Sequence, residues 1–369
     1  MTGKIRVAQV LETIHLGGVE QRVRTIVRGL DPDRYEHLVI CTQALGDIPD
    51  QLRECGATVV EVGVFRSRID LRAIRKAYRA LRAFKPDIVH GGVFEGVIMG
   101  VLAGKMARVP VIISEETSDP AVRRRTGHFF AEALYHLSDV TIGVSPFIAR
   151  YLTGTLKIPP AKVRMIANAV TSPQVSRSRA ALAEFGIPPD SIVFGTLGRL
   201  LDAHKGTSDA IRAFADLSLK QRTDLLIVGI GPDEAMLREL SASLGVSDRI
   251  HFAGYRGDPY PLLSALDVFM HPARYEAFGM VVAEAMFAGL PVVATDVGGV
   301  PDVVAKDETA LLVSPNDVPA LSRAMARLAG DDQLRAKLGK AGLARANAQF
   351  SEARYLIEID SLYREFLAR

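Results

Sequence analysis

Short apolar runs rich in β-branched residues alternate along this chain with longer segments whose apolar positions recur every three or four residues. In the first half the runs are IRVAQVL (5–11), HLVICT (37–42), TVVEV (58–62), DIVHG (87–91), PVIIS (110–114) and VTIGVS (140–145). Helix-period segments such as EQRVRTIVRGL, LRAIRKAYRALRAF and EGVIMGVLAGKMA separate them. The second half repeats the pattern with SIVFGTLG (191–198), DLLIVGIG (224–231), RIHFAG (249–254), DVFMHP (267–272), LPVVATD (290–296) and ALLVS (310–314), and with helices near 206–217, 233–244, 279–288 and 316–329. Strands apolar on both faces and alternating with helices predict parallel, doubly wound α/β sheets. The rhythm breaks once, at a Ser-, Pro- and Asn-rich stretch near 168–178, read as a linker. Two domains follow, 1–168 and 169–350, with a terminal amphipathic helix over 351–369 expected to pack back toward the first domain.

Composition narrows the function classes. The chain has 369 residues, 48% hydrophobic and 24% charged, which suits a soluble protein of two domains. A formal net charge of +3 does not indicate nucleic-acid binding. Cys41 and Cys55 stand apart from any CxxC or His cluster and read as buried, reduced thiols rather than metal ligands. No secretory h-region opens the sequence and no window approaches a membrane span, so a cytoplasmic protein is expected.

Ligands of doubly wound sheets bind beyond the carboxyl ends of the strands, so the loops after strands hold the candidate chemistry. Gly17 and Gly18 follow the first strand and precede a helix; they suit a tight turn, or a phosphate or sugar approaching the helix N-terminus. Arg199 and Lys205 share the loop after SIVFGTLG, where two cations suit a diphosphate. Gly229 and Gly231 close the next strand, where they serve packing or approach a nucleotide. DPD (31–33) sits in a helix-to-strand turn and reads as a surface turn, not a metal motif. The stretch YEAFGMVVAEAMFAGLPVVATD places Glu276 before a helix that starts near Gly279, and Glu284 within that helix. Unpaired buried carboxylates are costly, so each needs a partner, protein or ligand. Free N–H groups near Phe278, Gly279 and Met280 suit an anion, and a ribose diol suits Glu284.

Taken in order, GGVE (17–20), GRLLDAHKG (198–206), VGIGP (228–232), HFAG (251–254), EAFGMVVAE (276–284) and PVVATDVGGVPDVV (291–304) resemble the retaining glycosyltransferases of family 4 along nearly the whole chain. The resemblance implies the GT-B fold, two Rossmann-like domains facing each other across a cleft. It implies transfer of a hexose-type sugar from a UDP- or GDP-sugar to an acceptor hydroxyl, with retention, no cofactor and no metal. Arg199 and Lys205 then neutralise the leaving diphosphate. Glu276 contacts the transferred sugar, and Glu284 holds the ribose. Gly17 and Gly18 lie near the donor, as do Gly229, Phe278, Gly279 and Met280, and Tyr255 and Arg256 lie near the base. The partners of both glutamates are thus expected to be ligand hydroxyls.

One departure stands out. Where many members have a histidine after the strand matching PVIIS, this chain has Glu115 and Glu116, while His90 matches a common histidine of the preceding strand. His90 and Glu116 are therefore the acceptor-side candidates. The basic segment 66–85 reads as a solvated face, with peripheral contact to the inner membrane surface as its sharper reading. Three rivals stand against a transferase acting in cell-surface polysaccharide, glycolipid or small-glycoside synthesis. A sugar-nucleotide epimerase shares the architecture. A non-catalytic nucleotide-sugar binder would keep the binding groups. A nicotinamide oxidoreductase would need a GxGxxG fingerprint that is missing here.

Overall fold

In a computed structural model, residues 3–14, 18–67, 69–123, 125–171, 178–219 and 221–369 are described. The chain divides into two compact units, Met1–Ala169 with Glu352–Arg369, and Val170–Ser351.

The first unit holds a parallel sheet of seven strands: β1 (Ile5–Val10), β2 (Tyr35–Cys41), β3 (Thr58–Glu61), β4 (Ile88–Gly92), β5 (Val111–Glu116), β6 (Val140–Gly143) and β7 (Val163–Met165). Their spatial order is β3-β2-β1-β4-β5-β6-β7. The helices that matter below are α1 (Gly18–Gly29), α2 (Leu71–Phe84) and α3 (Phe94–Ala107). The Asp70 carboxylate caps α2 by accepting from the backbone N–H groups of Arg72 and Ala73. The helix buries Ala73, Ile74, Ala77, Leu81 and Phe84 and leaves its basic residues in solvent.

The second unit carries six parallel strands, β8 (Ile192–Leu197), β9 (Thr223–Val228), β10 (Ile250–Gly254), β11 (Val268–His271), β12 (Val292–Thr295) and β13 (Ala310–Val313), in the order β10-β9-β8-β11-β12-β13. Its site is built from the short helix α4 (Asp202–Lys205), then α5 (Thr207–Ala215) and α6 (Met280–Phe287). Phe194, Phe214, Leu225, Ile227, Met325 and Leu328 form the centre of its core, each fully buried. The last helix, α7 (Glu352–Leu367), returns to the first unit. Tyr355, Ile359, Leu362, Tyr363 and Phe366, spaced at helical period, pack there with Val7, Ile26, Ile88 and Ile113.

In both sheets the first strand lies between the second and the fourth, so the connections leave it in opposite directions. That is the topological switch point where doubly wound folds open for ligands. One expectation is corrected: Cys41 is buried, but Cys55 is exposed, because it follows the last turn of the helix Ile48–Glu54 at the surface.

Candidate functional site

At the switch point of the second sheet, the loops after β8 and β11 lie against each other. Gly206 ends α4 with φ +61°, and a Cβ there would come within 2.1 Å of the Pro272 carbonyl oxygen. Only glycine permits that approach. Arg274 ties the two loops together. Its backbone N–H donates to His204 O at 2.8 Å, Nη1 donates to Asp202 O at 2.8 Å, and Nη2 lies 2.9 Å from an Asp209 carboxylate oxygen. Asp202 in turn accepts from the backbone N–H and the hydroxyl of Ser208, both at 2.7 Å.

This scaffold brings Lys205 Nζ to 2.7 Å from Glu276 Oε2, with His271 Nε2 at 3.3 Å from the same oxygen. Burial alone would raise the pKa of Glu276, yet the Lys205 ammonium and His271 outweigh it and hold the carboxyl well below its usual range. Burial lowers the basicity of His271. Glu276 therefore has a protein partner, against the expectation that both glutamates are completed by ligand hydroxyls.

Glu284 behaves differently. It is half-buried on α6, its side chain makes no ion pair or hydrogen bond among the described residues, and burial pushes its pKa up to about 7. Arg199 is exposed, and among the described residues it forms no ion pair. The two expected diphosphate cations thus differ: Lys205 is paired with Glu276, and Arg199 is exposed with no ion pair among the described residues.

Gly279 caps α6 at φ +101°, and the Phe278 side chain is buried edge-on against Phe350 at 5.5 Å. Phe278 can meet a ligand only through its backbone. Among the described residues no acceptor takes up the N–H groups of Phe278, Gly279 and Met280. Behind them Gly299 donates its N–H to Glu276 O at 2.9 Å, and a Cβ at Gly299 would meet Ala277 O at 2.2 Å. Gly229 is similarly tight, since its Cβ would lie 1.9 Å from Gly198 O. Tyr255 is exposed beyond β10, whereas Arg256 is paired with Glu184 at 3.0 Å and lies over the Phe185 ring.

The first unit gives its candidates other surroundings. Gly17 lies outside the described residues, and Gly18 opens α1. His90 has no exposed surface. Its Nδ1 shares a hydrogen bond with Tyr363 at 2.8 Å, and its Nε2 lies 3.2 Å from Glu115, itself 2.6 Å from Arg22. Glu116 is also buried, held by Arg123 at 2.6 Å and by the Tyr135 hydroxyl at 2.9 Å. The geometry places neither His90 nor Glu116 at a surface a substrate could touch. Asp31 accepts from the Asp33 N–H at 2.9 Å in an exposed turn.

Comparison with known proteins gives this architecture its family. Residues 178–345 match the family described as glycosyl transferases group 1, and residues 17–169 match a glycosyl transferase 4-like domain. A lipopolysaccharide core biosynthesis glycosyltransferase, LpsD of Rhizobium meliloti (strain 1021), is 30% identical over 81% of either chain. The chain belongs to the family 4 glycosyltransferases. A further relative of this transferase is the 2-deoxystreptamine glucosyltransferase of Streptomyces kanamyceticus, 30% identical over 70% of this chain and 72% of that one. In fold, it matches the Anabaena protein HepE solved with UDP and glucose, with TM-score 0.86, 20% identity, and coverage of 97% and 99%. It also matches sucrose-phosphate synthase of Thermosynechococcus elongatus, with TM-score 0.82, 24% identity, and coverage of 99% and 100%. The glycosyltransferase therefore has the GT-B fold.

Four residues of this candidate site were not singled out from the sequence: His271, Arg274, Asp202 and Gly299. Signals for them existed. His271 ends a strand, Arg274 stands two residues before Glu276, and a Gly-Gly pair follows β12. Each became meaningful only when strand order put the loops after β8, β11 and β12 side by side.

Proposed function

We propose that this glycosyltransferase moves a hexose-type sugar from a UDP- or GDP-sugar to an acceptor hydroxyl with retention, in cell-surface polysaccharide, glycolipid or small-glycoside synthesis. The observation that carries the reading is the pair of unlike glutamates. Glu276 is ionised and anchored by Lys205, while Glu284 is half-buried and unpartnered on the helix that starts beside it. A nucleoside diphosphate sugar suits all of this. Its diphosphate takes the Lys205 ammonium, Arg199 and the open N–H groups at Phe278 to Met280, its ribose diol takes Glu284, and the sugar hydroxyls take Glu276. Tyr255 offers an exposed ring to the base, while Gly229, Arg256, Gly17 and Gly18 complete the donor's surroundings.

Breaking the anomeric C–O bond leaves its electron pair on the diphosphate. Cations and N–H groups that bind this growing charge better than the ground state lower the barrier. The acceptor oxygen bonds to the same face of the anomeric carbon, and its proton passes to a departing phosphate oxygen. In this reading Lys205 and Arg199 supply the positive charge that a metal would otherwise bring. Relatives and structural neighbours that act in lipopolysaccharide core synthesis or were solved with UDP-glucose support this reading. The basic face of α2 is solvated in this reading, and flotation with anionic vesicles at low salt is its check.

The test is a thermal-shift screen over UDP, GDP and ADP. UDP or GDP raises the melting temperature of the wild type and fails to do so for Glu284→Ala. A chain that none of the three stabilises is not using this site for a nucleotide. Consumption of the donor that needs no added acceptor favours the epimerase reading, and donor binding without any turnover favours a non-catalytic binder.

A further inference from the structure

The first unit has an open groove of about 540 Å³ at the carboxyl ends of β3, β4 and β5, made by loops that the donor reading does not use. Phe65 comes from the loop after β3, Phe94 and Glu95 open α3, and Ser118 and Arg123 follow β5. Val93, immediately before Phe94, has φ +60° and ψ 152°, a conformation that β-branched residues rarely adopt. The fold thus holds Phe94 and Glu95 in place against a local backbone cost. The buried Glu116 explains another wall: it fixes Arg123 at 2.6 Å, so that the guanidinium lies 4.9 Å over the Phe94 ring with its charge already neutralised. What the groove offers a ligand is aromatic surface, the half-buried Glu95 carboxylate and a serine hydroxyl. A sugar or polyol ring, with one apolar face and a rim of hydroxyls, has the complementary chemistry.

A second groove of about 320 Å³ adjoins the first through Arg66, which lines both. Arg72 there is cancelled by Asp70 at 2.7 Å. Arg66 and Lys76 have no ion-pair partner among the described residues, which leaves two uncompensated cations beside the ring-binding groove. We infer that the acceptor is a sugar or polyol bearing a phosphate, its ring on Phe65, Phe94 and Glu95 and its phosphate on Arg66 and Lys76. This deepens the transferase reading and rests on it, because it supplies the substrate class that receives the sugar.

The test is ligand-observed saturation-transfer NMR on the full chain with glucose, inorganic phosphate and glucose 6-phosphate as probes. Glucose 6-phosphate is expected to bind roughly tenfold tighter than glucose, and Arg66→Ala/Lys76→Ala to remove that advantage. Glu95→Gln weakens glucose and glucose 6-phosphate alike. Both cations and Glu95 lie outside the core, and melting curves without ligand check the fold of each variant. The proposal is overturned if glucose 6-phosphate binds no better than glucose, or if the double variant keeps the preference. Competing phosphatidylglycerol vesicles separate the sources: displacement of the probe assigns the phosphate to a lipid headgroup, and retention of the probe assigns it to a soluble ester, with the anionic acceptor standing in either case. Failure of UDP and GDP to stabilise the wild type, with glucose 6-phosphate still binding, defeats the donor reading and not the groove.

Discussion

Each unit of the molecule places a cation, a carboxylate and a histidine beside the switch point of its sheet, and the two constellations have nearly the same distances. In the first unit Arg22 lies 2.6 Å and His90 3.2 Å from Glu115. In the second Lys205 lies 2.7 Å and His271 3.3 Å from Glu276. The histidines even lie on the corresponding strand of their sheets, His90 midway along β4 and His271 at the end of β11. What differs is access. The side chains of Arg22 and Glu115 are 2% and 1% exposed, whereas those of Lys205 and Glu276 are 32% and 16% exposed. A sealed ion pair can only hold its surroundings together, whereas an open one can exchange part of its partnership for a ligand. Residue choice agrees, since Arg22 spreads its charge across a rigid fork and Lys205 carries a point charge on a mobile stem. The histidine that resemblance favoured, His90, belongs to the sealed set, and its counterpart in the open set drew no attention.

The comparison breaks most visibly if the sealed set proves chemical. Glu115→Ala leaves Arg22 buried without its counter-charge, so a loss of about 3–5 kcal/mol in unfolding free energy is expected, measured by denaturant titration. A stable Glu115→Ala protein that has lost only turnover would reverse the assignment of the two sets. In the open set the expected damage lies elsewhere. Lys205→Ala and Glu276→Ala each lower transfer by about 10²–10³-fold, with melting temperatures near wild type because both side chains reach solvent. Turnover close to wild type in either variant removes the pair from the reaction.

The sheets were legible in the sequence because buried parallel strands are near-continuous runs of Val, Ile and Leu, as in VVAT and DLLIV. The edge strand Val163–Met165 was not, since three residues on a sheet edge carry no period. The helix Asp332–Gln349 was missed for a different reason. It packs through Gly339, Gly342 and Ala346 as well as Leu338, and a Cβ at Gly339 would strike Gly289 O at 2.2 Å. A helix seated by small residues has no apolar stripe to read. Within the site, the identities of Lys205 and Glu276 were legible but their pairing was not, because 71 residues separate them and only the strand order joins them. Exposure was also invisible, so Arg199 and Lys205 looked equivalent, and His90 looked more available than it is.

A smaller effect sharpens the contrast between the two glutamates of the open site. Glu284 has its pKa raised from 4.5 to about 7 by burial, so the folded state binds the extra proton between those values. Stability from this group is present at acid pH and is lost as pH rises toward and through 7. Relative to Glu284→Gln, the wild type should lose roughly 2 kcal/mol between pH 5.5 and 8, read from denaturant midpoints at the two pH values. UDP affinity should move oppositely, strengthening as the carboxylate forms and becomes a better acceptor for ribose hydroxyls. A flat pH profile for UDP binding in the wild type would mean that Glu284 does not hold the ribose.

The two histidines give the smallest and most discriminating contrast. His271 approaches Glu276 at 3.3 Å from the buried side, while Lys205 approaches at 2.7 Å from a more exposed position. Removing the ring leaves the carboxylate ionised by its lysine but free to turn. His271→Leu should therefore cost about 0.5–1.5 kcal/mol of transition-state stabilisation, a several-fold fall in kcat with KM for the donor little changed. His271→Gln, which restores an N–H donor, should recover part of it. His90→Leu removes a ring whose nitrogens meet Tyr363, Arg22 and Glu115 and no open surface, so its cost should appear in the melting temperature and not in kcat. Equal kcat losses in the two leucine variants at unchanged stability would show that the sealed constellation reaches the reaction after all.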